Sequence, residues 1–356
     1  MNMKRREFLK NVGLSASALL VSPRLARSRE RFKTPVSPES DYFDVRRVGE
    51  SVFAIRGKTG SGIPTNTAVI VGNDAVAVVD THQRPSFDEE VIRIVGEITD
   101  LPIRYLINTH WHQDHTLGNQ VYEGRATIIG HVNTGKDLLG RVVDNLKLQR
   151  EVLPGQLDQA ARTLAERRRQ GVGQNALDQL ALQIKLDSEY LEELQGIRVV
   201  PPTQLFESSY FLDISDQPIE LRYFGPGHTH GDIVIFLPEE KTLIFGDLLT
   251  PGQPFMRPRD AVPSAWGPTL AKIGDLPWEN VVPGHGWIDE PRDRVEILVS
   301  YLGDLTERVR QAVGAGVPAD EITQVVTLDE YETYFPYFSF SVGENIRRAY
   351  EELTGN

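Results

Sequence analysis

The chain of 356 residues contains no cysteine. That removes a disulfide framework, and it removes thiolate from any metal site or nucleophilic mechanism. A G-x-S-x-G nucleophile elbow is also missing, so the sequence offers no serine-hydrolase motif of that kind. Positive charge is scarce outside the N-terminus. Residues 1–33 carry nine Lys/Arg against two Asp/Glu, and that +7 leaves −19 on the remainder of a chain whose net charge is −12. So acidic a body repels nucleic acid, which argues against a nuclease and against a nucleic-acid partner. The apolar fraction of 40% is ample for a real core. The length allows two domains or one enlarged α/β domain.

Histidine is present in a pattern. Thr109-His110-Trp111-His112-Gln113-Asp114-His115 follows the apolar run Ile103–Ile107, which reads as a buried strand. Three imidazoles and a carboxylate crowded into the loop at a strand end suit divalent cations, because neutral imidazole and carboxylate are the usual ligands of zinc. His110 and His112, two apart, can point the same way from an extended segment, whereas Asp114 and His115 diverge towards a second metal. Gly225-Pro226-Gly227-His228 follows the strand-like Ile219–Phe224, Asp247 ends Thr242–Phe245, and Pro283-Gly284-His285 ends another apolar run. Five of the eight histidines lie in this pattern, each of the later ligands beside glycines that let the backbone turn tightly.

His110-x-His112-x-Asp114-His115, then His228, Asp247 and His285, is similar in order and strand-end context to the ligand set of the metallo-β-lactamase superfamily. The resemblance implies an α/β fold, a four-layer αββα sandwich over residues 42–300, interrupted by a helical insertion at 132–196 and followed by a C-terminal helical extension at 301–356. It implies that His110, His112 and His228 hold one metal, that Asp114, His115 and His285 hold a second, and that Asp247 bridges them. The metals would be two divalent ions, Zn2+ first, with Fe or Mn as substitutes. Cations sharing a hydroxide would supply the nucleophile and polarise a carbonyl. Asp114 would be the catalytic residue that orients the nucleophile and shuttles a proton, and Asp80, after the strand-like Ala75–Asp80, would support the metal loop.

The chain opens with Lys4-Arg5-Arg6-Glu7-Phe8-Leu9-Lys10, a short apolar stretch from Val12 to Val21, and Pro23. This resembles a twin-arginine signal peptide, too short in its apolar part to span a bilayer. Residues 1–33 are then signal and linker, the export machinery is a partner, and the destination is the periplasm or beyond. Cleavage near residues 26–28 and retention as an anchor both fit. Short runs from Tyr42 to Asp80, separated by Gly, Asn and Asp turns, predict a β-meander with a turn at Asn73-Asp74. Ser86–Thr99 predicts a helix burying Phe87, Val91, Ile94 and Ile98, with Asp88 off that face. His82 reads as a surface loop residue or as one lining the rim of the site, and His131 as structural or as a support behind the ligands. Leucines at helical spacing on either side of Gly171-Val172-Gly173 predict two helices in the insertion. They form either a packed hairpin with a solvated face or a lid or dimerisation arm. In the second half, strands are expected at 205–206, 210–214, 219–224, 233–237, 242–245 and 281–282. Helices are expected at 265–273, 291–313, 319–326 and 342–353. The aromatic run from Tyr331 to Phe340 is expected to pack the extension or to form a homodimer contact.

The substrate class follows from departures within the family. Asp247 stands where the exported β-lactamases of the superfamily carry cysteine, and the lysine they place soon afterwards is missing. The bridging aspartate resembles the glyoxalase-II, lactonase and esterase branches, so the reading is an exported metal-dependent hydrolase of a small ester, thioester, lactone or amide. A β-lactamase and a non-catalytic metal-binding or assembly factor are the alternatives. The loop after Asp247 holds Arg257 and Arg259 among prolines, which limit its flexibility. Arg257 is a candidate fork for an anionic group on the substrate. The competing reading pairs these arginines with surface acids such as Asp260.

Overall fold

The computed structural model describes residues 31–33, 38–214, 217–252, 256, 260–288, 291–335 and 338–355; the twin-arginine segment, Arg257, Arg259 and Tyr337 lie outside them. Seven strands form the first sheet in sequential order: β1 (Phe43–Arg47), β2 (Val52–Gly57), β3 (Asn66–Val71), β4 (Val76–Val79), β5 (Ile103–Ile107), β6 (Thr127–His131) and β7 (Gln204–Phe206). Strands β1 to β4 are antiparallel, and β4 to β7 are parallel. The second sheet runs β12 (Asn280–Pro283), β11 (Thr242–Gly246), β10 (Val234–Leu237), β9 (Pro218–Arg222), β8 (Ser209–Asp213). Only its β11–β12 pair is parallel.

The period of two along each strand sorts the apolar residues into layers. Val52, Ala54, Ala68, Ile70, Ala77, Val79, Ile107 and Ile129 of the first sheet meet Leu221, Ile235, Leu237 and Ile244 of the second, making one core between the sheets. The alternate residues Phe53, Val69, Val78, Leu106 and Ile128 face outwards onto helix α1 (Pro85–Ile98) through Phe87, Val91, Ile94 and Ile98. Val234, Phe236, Leu243 and Phe245 face the opposite way, onto helices α7 (Pro263–Gly274), α8 (Pro291–Gly314) and α10 (Phe338–Thr354). Helix, sheet, sheet and helix therefore stack as four layers, the α/β sandwich that the ligand pattern implied. Each fully buried valine or isoleucine in these cores contributes about 1.5–3 kcal/mol.

Several elements differ from the sequence reading. Strand β7 belongs to the first sheet as its edge, pairing parallel to β6 across the intervening helices. Asp88 is fully buried, and its Oδ2 accepts from the His82 amide at 3.0 Å. The helix expected at 319–326 contracts to α9 (Ile322–Val325). In the aromatic run, Tyr331, Phe335 and Phe338 are buried, while Tyr334 and Phe340 are exposed.

Short helices α2 (Gln113–Thr116) and α3 (Asn119–Tyr122) follow the metal loop. After β6 come α4 (Val132–Asp137), a π-helical turn (Leu138–Val142), α5 (Val143–Arg169) and α6 (Gln174–Leu194). The last two form a hairpin that breaks at Gly171–Gly173. Its root packs Leu138, Val142, Leu146, Tyr190 and Leu194 against Trp111 and Leu117. Among the described residues, no helix is long and apolar enough to cross a membrane.

Candidate metal centre

All seven residues of the pattern converge at one end of the sandwich. His110, His112, Asp114 and His115 follow β5, while His228, Asp247 and His285 lie beyond β9, β11 and β12. The first sheet thus supplies four of the side chains and the second sheet three. Two glycines permit this meeting. A Cβ on Gly246 (φ +55°) would stand 2.6 Å from Thr109 Oγ1, and a Cβ on Gly284 would stand 2.0 Å from Asp247 Oδ1. Neither space accepts a side chain, so glycine is required at both positions.

The side chains form two groups whose ligand atoms lie close together: His110, His112, His228 and Asp247, and Asp114, His115 and His285. In the first, His112 Nδ1 is 2.9 Å from His228 Nε2, and Asp247 Oδ2 is 3.4 Å from His228 Nε2 and 3.9 Å from His110 Nε2. In the second, Asp114 Oδ2 is 3.9 Å from both His115 Nε2 and His285 Nε2. Asp247 reaches this group too, with Oδ1 at 3.3 Å from His115 Nε2 and Oδ2 at 3.0 Å from His285 Nε2. Asp247 therefore touches both groups. Ligands about 2.0–2.1 Å from a tetrahedral zinc stand roughly 3.4 Å apart, within the spread seen.

The outer ring atoms show why these histidines point inwards. His110 Nδ1 lies 2.9 Å from Thr109 Oγ1, His115 Nδ1 2.9 Å from Asp80 Oδ2, His285 Nδ1 2.9 Å from the Pro64 carbonyl, and His112 Nε2 2.9 Å from Asp260 Oδ2. In these four rings the outer nitrogen meets an oxygen, which fixes the ring and leaves the other nitrogen facing the centre, as in histidines that ligate metals. His110 Nε2 is buried without a hydrogen-bond partner, and the equally buried His115 Nε2 and Asp247 Oδ1 face only each other, at 3.3 Å. Buried polar atoms of this kind normally have partners. A pair of divalent cations fits them.

Asp80 is held in the left-handed region at φ 60°, rare for a residue with a side chain. From there its carboxylate accepts from the Thr109 amide and hydroxyl, each at 2.7 Å, and braces His115. His82 is buried, contrary to the surface position expected. Its ring is 3.0 Å from Thr65 Oγ1 and 3.1 Å from Thr67 Oγ1, and Thr65 Oγ1 also donates to the Asp114 carbonyl. Burial, helped by neighbouring His115, lowers the His82 pKa to about 3, so the ring is neutral. His131 caps α4, accepting from the Asn133 amide, and stacks on Tyr223.

Electrostatics mark the cluster as built around positive charge. Burial would raise the Asp247 carboxyl, but His285 and His115 hold it well below the ordinary range. Burial likewise opposes protonation of His115, yet Asp247, Asp80 and Asp114 draw it well above the usual histidine value. For His285 the same opposition ends in a raised pKa, with Asp247 the main counterweight.

Asp260 was missed as a site residue. It is buried and bound to His112 Nε2 and Arg141 Nη1, each at 2.9 Å, and so is not the surface acid considered as a partner for Arg257 and Arg259. A cleft of about 490 Å³ that reaches Pro64 and Gly286, the neighbours of His285, is lined by Ile63, Phe87, Leu186 and Tyr190 together with Arg56 and Lys58, and by none of the seven ligand residues.

A family model described as "Metallo-beta-lactamase superfamily" matches residues 60–285. The linear primary-alkylsulfatase of Pseudomonas sp. is 23% identical over 312 residues, which is 81% of this chain and 55% of that protein. The metallo-beta-lactamase type 2 of Bacteroides fragilis is 24% identical over 228 residues, 63% of this chain and 70% of the other. The chain therefore spans about half the length of the alkylsulfatase it matches. The solved structure of the stereoselective inverting sec-alkylsulfatase Pisa1 from Pseudomonas sp. aligns with a TM-score of 0.61 at 18% identity, covering 88% of this chain and 50% of that one. That likeness is one of fold.

Proposed function

We propose that this chain, which belongs to the metallo-β-lactamase superfamily, is an exported metal-dependent hydrolase of a small ester, thioester, lactone or amide. The observation that carries the reading is the set of inward-facing nitrogens on His110, His112, His115 and His285, each ring fixed from behind by an oxygen. The alkylsulfatase relative adds sulfate esters to the candidate substrates.

His110, His112 and His228 would hold one cation and Asp114, His115 and His285 the other, with Asp247 between them. Bound divalent cations, zinc first, supply Lewis acidity and a water acidified towards neutrality. The chain's own groups do the rest. Asp114, whose side chain is 21% exposed against 8% for Asp247, has access to solvent and can orient the attacking water and move a proton to the leaving group. The cleft beside His285 can take the body of the substrate on Ile63, Phe87 and Leu186. Arg257, in the loop after Asp247, is proposed to grip an anionic group if the substrate carries one.

A β-lactam is the second reading, favoured by the Bacteroides fragilis relative and opposed by aspartate rather than cysteine at position 247. A non-catalytic metal carrier is disfavoured, because a structural zinc needs four ligands and no open position. The test is a panel of carboxylic esters, thioesters, lactones, sulfate esters and β-lactams, assayed with and without chelator beside elemental analysis. Close to two metals per chain and chelator-sensitive turnover of an ester or lactone are expected. One metal per chain after reconstitution, or turnover untouched by chelation, would refute the reading. Export rests on Arg5-Arg6 within a basic, then apolar leader. Replacing both with lysine is expected to stop it, and undiminished periplasmic protein on fractionation would remove the proposal.

A further inference from the structure

We infer that the helical insertion is a working part of the three-histidine metal site, and that Arg141 is the positioning residue joining them. Asp260, in the loop between β11 and α7, places Oδ2 2.9 Å from His112 Nε2 and Oδ1 2.9 Å from Arg141 Nη1. Arg141 comes from the π-helical turn Leu138–Val142 at the hairpin's root, an irregularity found more often at functional sites than elsewhere. Its guanidinium is 3.3 Å from Asp137 and lies over the Trp111 ring, 5.5 Å from the centroid. Trp111 stands between two metal-site histidines in sequence and packs on Leu138, Val142 and Leu146 of the same root. Seating the hairpin therefore aims Arg141, Arg141 orients Asp260, and Asp260 orients His112.

The consequence is chemical. With Asp260 accepting from Nε2, the lone pair of His112 falls on Nδ1, the atom that faces His228. Loss of Arg141 leaves one oxygen of a buried carboxylate without its cationic partner and lets Asp260 turn away from the ring. Two roles for Arg141 predict opposite signs. As a mere nearby positive charge it would repel a metal ion, and its removal would tighten binding. As a positioning group, its removal weakens binding.

The experiment measures zinc affinity of the full chain by competition with a chromophoric chelator, and the visible absorption of the cobalt-substituted protein. Asp260→Asn is expected to weaken the first-bound zinc by roughly 10- to 100-fold. Arg141→Gln, one bond further out, should weaken it several-fold and shift the cobalt spectrum, and Arg141→Lys should recover most of the loss. In the Asp260→Asn background Arg141→Gln should add nothing, since both act through one chain of contacts. Tighter or unchanged binding in Arg141→Gln, or full additivity with Asp260→Asn, overturns the inference. Should Arg141→Gln fail to fold, Arg141→Lys and Asp260→Asn still decide: unchanged affinity in Asp260→Asn overturns it. The inference rests on the metal-centre reading. Wild-type protein that binds no zinc fails that reading, whereas normal wild-type binding with indifferent variants fails only the inference.

Discussion

Asp114 differs from the other carboxylates of the centre in its exposure, 21% for the side chain against 8% or less for Asp80, Asp247 and Asp260. Burial pushes its pKa up, but His115 and then His285 pull it below the ordinary range, so the group stays ionised. Its side chain makes no contact that the core depends on; the Thr65 hydroxyl is bound by its backbone carbonyl. Asp114→Asn is therefore expected to leave the melting temperature within a few degrees of wild type. Turnover should fall by roughly 10²–10⁴-fold, the usual worth of a positioned proton-transfer group. Steady-state kinetics on metal-loaded protein check this, and near-normal kcat with both metals retained would end the assignment. That the seven residues of the pattern come together was legible at this scale, because each sits in a short motif at a strand end. Asp260 and His82 were not. Asp260 meets His112 across 148 positions of sequence, and a lone aspartate in a proline-rich loop carries no local mark of that contact. His82 is buried by Phe43 and Phe87 from other elements and by threonines on β3 and just before it, again a tertiary fact.

Elements were read well where a period dominates. Short apolar runs bounded by turn residues predicted the strands, and the Phe87, Val91, Ile94, Ile98 stripe predicted α1 to within a residue at each end. Position in the sandwich was less accessible. Strand β7 follows the helical insertion in sequence, yet it joins the first sheet because the parallel pairing with β6 is closed by a crossover that the insertion itself provides. Helix α10 carries Asn345, Arg348 and Glu352 along one side. In the fold these residues clamp the loop after Asp247: Asn345 Oδ1 accepts from the Met256 amide, Arg348 Nε donates to the Ala261 carbonyl, and Glu352 accepts from the Ser264 amide. The C-terminal extension thus holds in place the loop that carries Asp260. These polar side chains satisfy backbone groups of that loop and of the start of α7.

At the scale of the molecule, the centre is where the two sheets are joined. Asp80, His110, His112, Asp114 and His115 belong to the first half, and His228, Asp247 and His285 to the second, with Asp247 touching ligands of both groups. Around them the halves meet through an apolar core that needs no metal, so the apo chain should fold. The strand ends gather the carboxylates of Asp80, Asp114 and Asp247 beside His115 and His285. Cations held there would tie His110 to His285 into one network, and a site assembled from both halves would favour the folded chain. Free metal at a thousandfold excess over its Kd adds about 4 kcal/mol to stability. Each kcal/mol moves the melting temperature by roughly 2–4 °C in a domain of about 200 residues, and by less in a larger one. Chelation is therefore expected to lower Tm by roughly 5–10 °C while leaving a single cooperative transition. The measurement is a thermal melt followed by circular dichroism on metal-loaded and metal-free protein, with the metal content of each sample established by elemental analysis. Identical transitions in the two would mean that the ligand pattern does not link the sheets through bound metal. A chain that unfolds outright on chelation would mean that the apolar core between the sheets is insufficient alone.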